Sequence, residues 1–130
     1  MILNTIIVGC GKIAHRYAKL IPMISSLELV GVFDTNLEKA KLFAQENGDI
    51  PYFCDLKHIE NLNIDLAIIC TPNGTHYEIA SFLIQSKIHI LVEKPLAMNY
   101  SDAEDLLKLS ESQNIRIFSM HQHRFNKNIN

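Results

Sequence analysis

Residues 6–14 constrain the fold most strongly, because a short apolar run leads directly into two glycines one residue apart. The sequence Ile-Ile-Val-Gly-Cys-Gly-Lys-Ile-Ala continues into a helical pattern, which indicates a strand before the turn and a helix after it. Gly9 allows a sharp turn off the strand, Gly11 leaves room for a pyrophosphate near the backbone, and Ala14 allows close helix packing. The first helical N–H groups would face the phosphates. This stretch predicts a dinucleotide site containing Gly9, Gly11, Lys12 and Ile13.

Short apolar runs alternate with amphipathic segments along the whole chain, as is typical of a parallel sheet with helices on both faces. We predict six strands, at residues 5–8, 29–33, 52–53, 66–70, 88–92 and 115–120. Helices are predicted at 12–20, 37–47, 76–85 and 101–113, with a weak helical turn at 55–60. Asn36, and a capping box of Ser101 and Glu104, would begin two of them. The predicted fold class is α/β, a Rossmann-type doubly wound parallel sheet in a single domain.

Composition excludes several classes of protein. A chain of 130 residues with 48% hydrophobic content and a net charge of −2 is typical of one globular domain, with no electrostatic case for a nucleic-acid or membrane partner. No apolar run reaches the length of a membrane span. Cys10, Cys54 and Cys70 lack Cys-x-x-Cys spacing, which argues against a disulfide framework and against a metal site. We therefore expect a cytoplasmic location.

Asp34 follows the second apolar run at roughly the 20-residue distance from the glycines where a carboxylate binds an adenosine ribose. A carboxylate at this place repels a 2′-phosphate, and Thr35 and Asn36 supply no arginine to bind one. NAD is therefore the predicted cofactor, with NADP disfavoured. The alternative is that Asp34 only begins a turn.

Two further polar segments follow the fourth and fifth apolar runs. Thr71-Pro72-Asn73 offers a hydroxyl and an amide at the crevice where ligands bind in open sheets, although Asn73 and Gly74 can equally form an ordinary turn. Glu93-Lys94-Pro95 places a lysine between a strand and a proline, where it could orient a nicotinamide or a substrate hydroxyl or help to move a proton. The alternative for this residue is an ordinary surface lysine.

The sixth apolar run is followed by His121-Gln122-His123-Arg124. His-x-His on a strand puts both imidazoles on one face and could hold a metal, but no third ligand is evident. We therefore expect these residues to contact the substrate or the cofactor edge, and we expect His76 to hydrogen-bond to a neighbouring loop.

The motifs together resemble the Gfo/Idh/MocA oxidoreductases. The resemblance lies in Gly-Cys-Gly-Lys-Ile-Ala at 9–14, Val-Phe-Asp at 32–34, Thr-Pro-Asn-Gly-Thr-His at 71–76 and Glu-Lys-Pro-Leu-Ala at 93–97. It implies reversible hydride transfer between a sugar, nucleotide-sugar or cyclitol carbon and a nicotinamide, with Lys94 at the active site and a cis bond before Pro95. Residues 118–126 are similar to members that oxidise UDP-activated amino-sugar acids. The resemblance implies cofactor contacts at Thr71, Pro72, Asn73, His76, Glu93, Lys94, Pro95 and Gln122, and substrate contacts at Lys94, His123 and Arg124.

Members of that family continue into a second α/β domain, which supplies most of the substrate pocket, the oligomer interface and the Asp and His that act with the lysine. We therefore expect residues 1–120 to form the NAD-binding domain and 121–130 to begin the connection to a second domain, so that this chain alone would lack the full catalytic apparatus. A homo-oligomer or that second domain is the expected macromolecular partner. A non-catalytic nucleotide-binding or regulatory module remains the alternative function, and a methyltransferase is disfavoured by Glu93-Lys94-Pro95.

Overall fold

The computed structural model describes residues 1–120. The strands in this range are β1 (Leu3–Val8), β2 (Leu27–Phe33), β3 (Tyr52–Phe53), β4 (Leu66–Ile69), β5 (His89–Glu93) and β6 (Ile117–Met120). The α-helices are α1 (Lys12–Leu20), α2 (Leu37–Glu46), α3 (His76–Gln85) and α4 (Tyr100–Gln113). Short 3-10 helices lie at Ile21–Met23, Leu56–Asn61 and Asn73–Thr75. The second of these is the helical turn predicted near 55–60.

All six strands are parallel, in the order β3-β2-β1-β4-β5-β6. The chain builds outward from β1 through β2 and β3, and then crosses back to place β4 on the other side of β1. The strand order therefore reverses between β1 and β4, which opens a crevice at their carboxyl ends. The predicted doubly wound α/β fold is confirmed.

Each face of the sheet carries its own core, because neighbouring residues on a strand point to opposite faces. Ile6 and Val8 of β1 belong to a cluster that includes Leu83 of α3 and Leu106 of α4. Ile7 between them belongs to a second cluster with Ala14 and Ala18 of α1 and Phe43 and Ala44 of α2. All three β1 residues are completely buried, as an inner strand with helices on both faces requires.

The N-terminus of α2 matches the prediction, whereas that of α4 differs from it. Asn36 caps α2 through a hydrogen bond from the Lys39 N–H at 3.1 Å, as expected. The capping box of Ser101 and Glu104 is wrong, because α4 begins earlier and Asn99 accepts the Asp102 N–H at 2.8 Å. The sequence around this start contains two overlapping cap signals, and the earlier one forms the cap.

No helix among residues 1–120 combines the length and the apolar character that a bilayer crossing requires.

Candidate functional site

A cavity of about 710 Å³ lies at the carboxyl ends of β1, β2 and β4, where the strand order reverses. Its volume is in the range of cofactor and ligand pockets. The residues that line it come from the β1–α1 turn, the end of β2 and the residue after Asp34, the first turn of α2, the 3-10 helix Leu56–Asn61, the segment after β4 and the first turn of α3: Gly9, Cys10, Gly11, Phe33, Asp34, Thr35, Lys39, Leu56, Cys70, Thr71, Pro72, Thr75, Glu78 and Ile79.

The two glycines of the β1–α1 turn have different physical roles. Gly9 has a φ of +101°, and a Cβ there would lie 2.8 Å from Cγ2 of Thr71 and 2.9 Å from the backbone of Cys70. This position therefore excludes any side chain for reasons internal to the protein. Among residues 1–120, a Cβ on Gly11 would meet nothing within 4 Å, yet Gly11 lines the cavity. A side chain at Gly11 would occupy ligand space, so this residue fits a group that approaches the backbone closely.

Within the described part of the chain, no side chain caps the first N–H groups of α1, which can therefore donate to a ligand. Gly11 is the N-cap and has no side chain to accept the first helical N–H groups, and the first turn contains no acidic residue. The free N–H groups and the positive end of the helix dipole lie beside the cavity that Gly11 lines. This arrangement suits the pyrophosphate of a dinucleotide.

Both oxygens of Asp34 accept backbone N–H groups at the end of β2. Oδ2 accepts the N–H of Cys10 at 2.9 Å, and Oδ1 accepts the N–H of Asn36 at 2.9 Å. The first bond joins the carboxylate to the glycine turn, and the second joins it to the cap of α2. Because a carboxylate oxygen has two lone-pair positions, each oxygen retains one for a further donor such as a ribose hydroxyl.

Hydrogen bonds within the segment after β4 join Thr75 to Thr71 and Pro72. The hydroxyl of Thr75 lies 2.7 Å from Oγ1 of Thr71 and 2.6 Å from the carbonyl oxygen of Pro72. Thr75 is the N-cap residue of α3, but its side chain makes no capping hydrogen bond. Thr71 and Pro72 line the cavity, with Thr71 directly beside Gly9, whereas Asn73 is exposed and outside the lining.

The segment after β5 is held by a buried histidine. His76 is only 2% exposed, and its Nδ1 lies 2.8 Å from the carbonyl oxygen of Pro95 while its Nε2 lies 3.0 Å from that of Thr71. A neutral imidazole has one N–H and donates to one of these two oxygens, and only a doubly protonated ring donates to both. The predicted hydrogen bond of His76 to a neighbouring loop therefore exists, and the ring contacts the segments after both β4 and β5. The Lys94–Pro95 peptide bond is cis, as the family resemblance implied.

Glu93 and Lys94 differ in how their side chains are held. Oε1 of Glu93 accepts the hydroxyl of Tyr17, on α1, at 3.2 Å. Burial and the adjacent Glu93 carboxylate raise the pKa of the Tyr17 phenol, so this hydroxyl keeps its proton and remains a donor. Lys94 is exposed and follows the last residue of β5.

Two thiols in the site are held in their protonated form. Burial, with the Asp34 carboxylate nearby, raises the pKa of Cys10 to about 12, and burial together with Glu93 raises the pKa of Cys70 to about 12. Because the thiolate is the reactive form, neither cysteine is a nucleophile near neutral pH. Cys10 instead packs in the core and directs its thiol to the carbonyl oxygen of Phe33 at 3.5 Å.

The fold gathers many of the residues selected from the sequence. Gly9, Gly11, Asp34, Thr71 and Pro72 line one cavity, and Lys12 and Ile13 begin the helix beside it. Asn73, His76, Glu93, Lys94 and Pro95 are outside that lining, on the β4 and β5 side of the crevice. Gln122, His123 and Arg124 lie outside the described residues.

Several residues that contact the site or its supports were not predicted as site residues from the sequence. Lys39, Thr75 and Glu78 line the cavity, and Tyr17 holds Glu93. Lys39 could have been found, because it lies in the first turn of the helix that follows Asp34. Tyr17 could not, since nothing local in the sequence links α1 to the end of β5.

The sequence matches the model of a known protein family, the oxidoreductase family with an NAD-binding Rossmann fold, over residues 3–121. Myo-inositol 2-dehydrogenase of Thermotoga maritima is 24% identical over 123 residues, which cover 94% of this chain and 37% of that protein. UDP-N-acetylglucosamine 3-dehydrogenase of Acidithiobacillus ferrooxidans is 28% identical over 115 residues, which cover 87% of this chain and 35% of that protein. The chain thus spans about a third of the length of these relatives.

Among solved structures, the chain is similar to the WlbA dehydrogenase from Bordetella pertussis in complex with NADH and UDP-GlcNAcA. The TM-score is 0.92 and the sequence identity is 27%, over 99% of this chain and 40% of that one. The similarity in fold therefore extends over almost the whole of this chain.

Proposed function

This chain belongs to the Gfo/Idh/MocA oxidoreductase family, which binds NAD, and from this premise we propose that it is the NAD-binding domain of a dehydrogenase for sugars, nucleotide sugars or cyclitols. The observation that carries the proposal is the cavity between β1 and β4, which brings together the glycine turn, Asp34 and the segment after β4. The named activities of the relatives support the substrate class.

Different residues of the chain would bind different parts of the cofactor. The glycine turn and the free N–H groups of α1 would bind the pyrophosphate, and Asp34 would accept the hydroxyls of the adenosine ribose. We propose NAD over NADP because the Asp34 carboxylate repels a 2′-phosphate. The exposed Lys39 lines the same cavity, and because its positive charge would attract a 2′-phosphate, it reduces the preference for NAD over NADP without removing it.

Lys94 is the proposed catalytic residue. It follows β5, whereas Asp34 follows β2, so the two residues lie on opposite sides of the point between β1 and β4 where the strand order reverses. A cofactor that crosses the crevice from Asp34 would place its nicotinamide half on the Lys94 side. A bound NAD supplies the hydride acceptor for the substrate carbon. The Lys94 ammonium would donate a hydrogen bond to the substrate hydroxyl, orient it and stabilise negative charge that develops on its oxygen.

Asn73, Glu93 and Pro95 would border the same nicotinamide half, and Gln122, His123 and Arg124 remain proposed contacts at the cofactor edge and the substrate. We also propose a cytoplasmic location, which the free thiols of Cys10, Cys54 and Cys70 support.

Calorimetric titration of the chain with NADH tests the cofactor assignment, and S-adenosylmethionine is the competing ligand of a methyltransferase. We expect NADH to bind and S-adenosylmethionine not to bind. The matched variant is Gly11→Ala, which places a methyl group in ligand space without a clash inside the protein. If S-adenosylmethionine binds instead, or if Gly11→Ala leaves NADH affinity unchanged, the proposal is wrong.

A further inference from the structure

We propose that Tyr17 and His76 are positioning residues, which hold the Glu93 side chain before Lys94 and the Pro95 carbonyl group after it, and thereby place the Lys94 ammonium group beside the cofactor. Lys94 faces the nicotinamide in the proposed function, on which this inference rests. Neither residue needs to touch the cofactor for this role.

The first anchor is the His76 ring, which lies between two carbonyl oxygens. Nδ1 is 2.8 Å from the Pro95 oxygen, directly after Lys94, and Nε2 is 3.0 Å from the Thr71 oxygen, at the end of β4. The ring is buried, so water cannot take the place of either partner without a rearrangement. His76 therefore contacts the segments after both β4 and β5, and it donates a hydrogen bond to at least one of them.

The second anchor is the Tyr17 hydroxyl, which donates to Oε1 of Glu93 at 3.2 Å, directly before Lys94. Tyr17 lies on the helix whose first N–H groups are proposed to bind the pyrophosphate. This bond therefore relates the position of the lysine to that of the phosphates.

These anchors determine the position of Lys94 because its own side chain is exposed and does not pack in the core. Its neighbours on both sides are held, so the direction of its Cα–Cβ bond follows from the backbone. The adenosine end of the cavity is built from different contacts, chiefly those of Asp34 with Cys10 and Asn36. Loss of an anchor should therefore affect the nicotinamide end of a ligand and spare the adenosine end.

The test compares the affinities of two probes, NADH and ADP-ribose, which lacks the nicotinamide. We expect Tyr17→Phe and His76→Leu to weaken NADH binding by about 2- to 30-fold, the range for substitutions that modulate coupling, and to leave ADP-ribose binding within about twofold. His76→Gln retains an amide donor and should lose less NADH affinity than His76→Leu. Tyr77→Phe is the matched control, because the Tyr77 hydroxyl donates to Asp105 at 3.4 Å, between α3 and α4.

A double-substitution cycle separates a positioning role from a structural one. If Tyr17 acts through the lysine, Tyr17→Phe should have no further effect on NADH affinity in a Lys94→Ala background. Equal weakening of NADH and ADP-ribose, an unchanged NADH affinity in Tyr17→Phe, or full additivity with Lys94→Ala would each overturn the proposal. Should His76→Leu fail to fold, Tyr17→Phe and His76→Gln still decide it. A wild-type chain that binds neither probe would instead refute the proposed function.

Discussion

Replacing Asp34 with asparagine removes the charge from the adenosine end of the site while preserving the shape of the side chain. In the wild-type protein each carboxylate oxygen accepts one backbone N–H at 2.9 Å, from Cys10 and from Asn36. The amide group of an asparagine must present its NH₂ to one of these donors. One hydrogen bond is therefore lost, which should lower the free energy of unfolding by about 1 kcal/mol.

The effect on binding should be larger and should depend on the cofactor. A hydrogen bond to a charged acceptor is worth roughly 1 kcal/mol more than a neutral one, and the carboxylate can accept from two ribose hydroxyls. A loss of about 2 kcal/mol corresponds to NADH binding that is roughly 30-fold weaker. NADPH should bind about tenfold more tightly, because the repulsion of its 2′-phosphate is removed and the exposed Lys39 of the same cavity is then unopposed.

The assay is calorimetry, or the fluorescence of the bound nicotinamide, since the chain contains no tryptophan whose emission could report binding. Asp65→Asn is the matched control. Its Oδ2 accepts the backbone N–H of Asn4 at 2.8 Å at the opposite end of the sheet, so stability should fall while both affinities stay constant. An NADH affinity within about threefold of wild type, or parallel losses for NADH and NADPH, would refute the reasoning.

Three further predictions concern the turn, a helix cap and a thiol. Gly9→Ala should destabilise the fold by about 2–4 kcal/mol in urea unfolding, because its φ is +101° and the added Cβ would lie 2.8 Å from a neighbouring side chain. Gly11→Ala should cost at most about 1 kcal/mol, the loss expected at an N-cap. Asn99→Ala should cost about 1 kcal/mol and Ser101→Ala close to nothing; equal losses would restore the rejected capping box. The raised pKa of Cys10 means that the folded thiol keeps its proton where the unfolded one, with a pKa of 9.0, has lost it. The contribution of this thiol to the free energy of unfolding should therefore be fully present below pH 9 and should fall between pH 9 and pH 12, by up to about 1.4 kcal/mol per pH unit. In unfolding experiments at a series of pH values, Cys10→Ala should make this decline less steep.

Features that depend on neighbouring residues were predictable from the sequence. The glycine turn, the strand before it and the helix after it are local, because the apolar period and the glycine positions specify backbone conformation within a few residues. The alternation of apolar runs with amphipathic segments then led to the parallel sheet, since parallel strands need crossover connections. Asp34 was selected by the same reasoning. The predicted start of α4 was wrong because Asn99 and Ser101 are both acceptable N-cap residues, and the sequence does not indicate which of the two caps the helix.

The tertiary structure alone decided how the site is held together. Tyr17 and Glu93 meet only because α1 packs near the carboxyl end of β5, and His76 joins Thr71 to Pro95 only because β4 and β5 are neighbours in the sheet. Such contacts depend on which strands pair and on how the helices pack on the sheet, and no local pattern records either. Local patterns in the sequence were therefore sufficient to predict the fold class and the glycine turn that lines the cavity. The surroundings of Lys94 were set by long-range packing, because its backbone is held by partners that are distant in the chain.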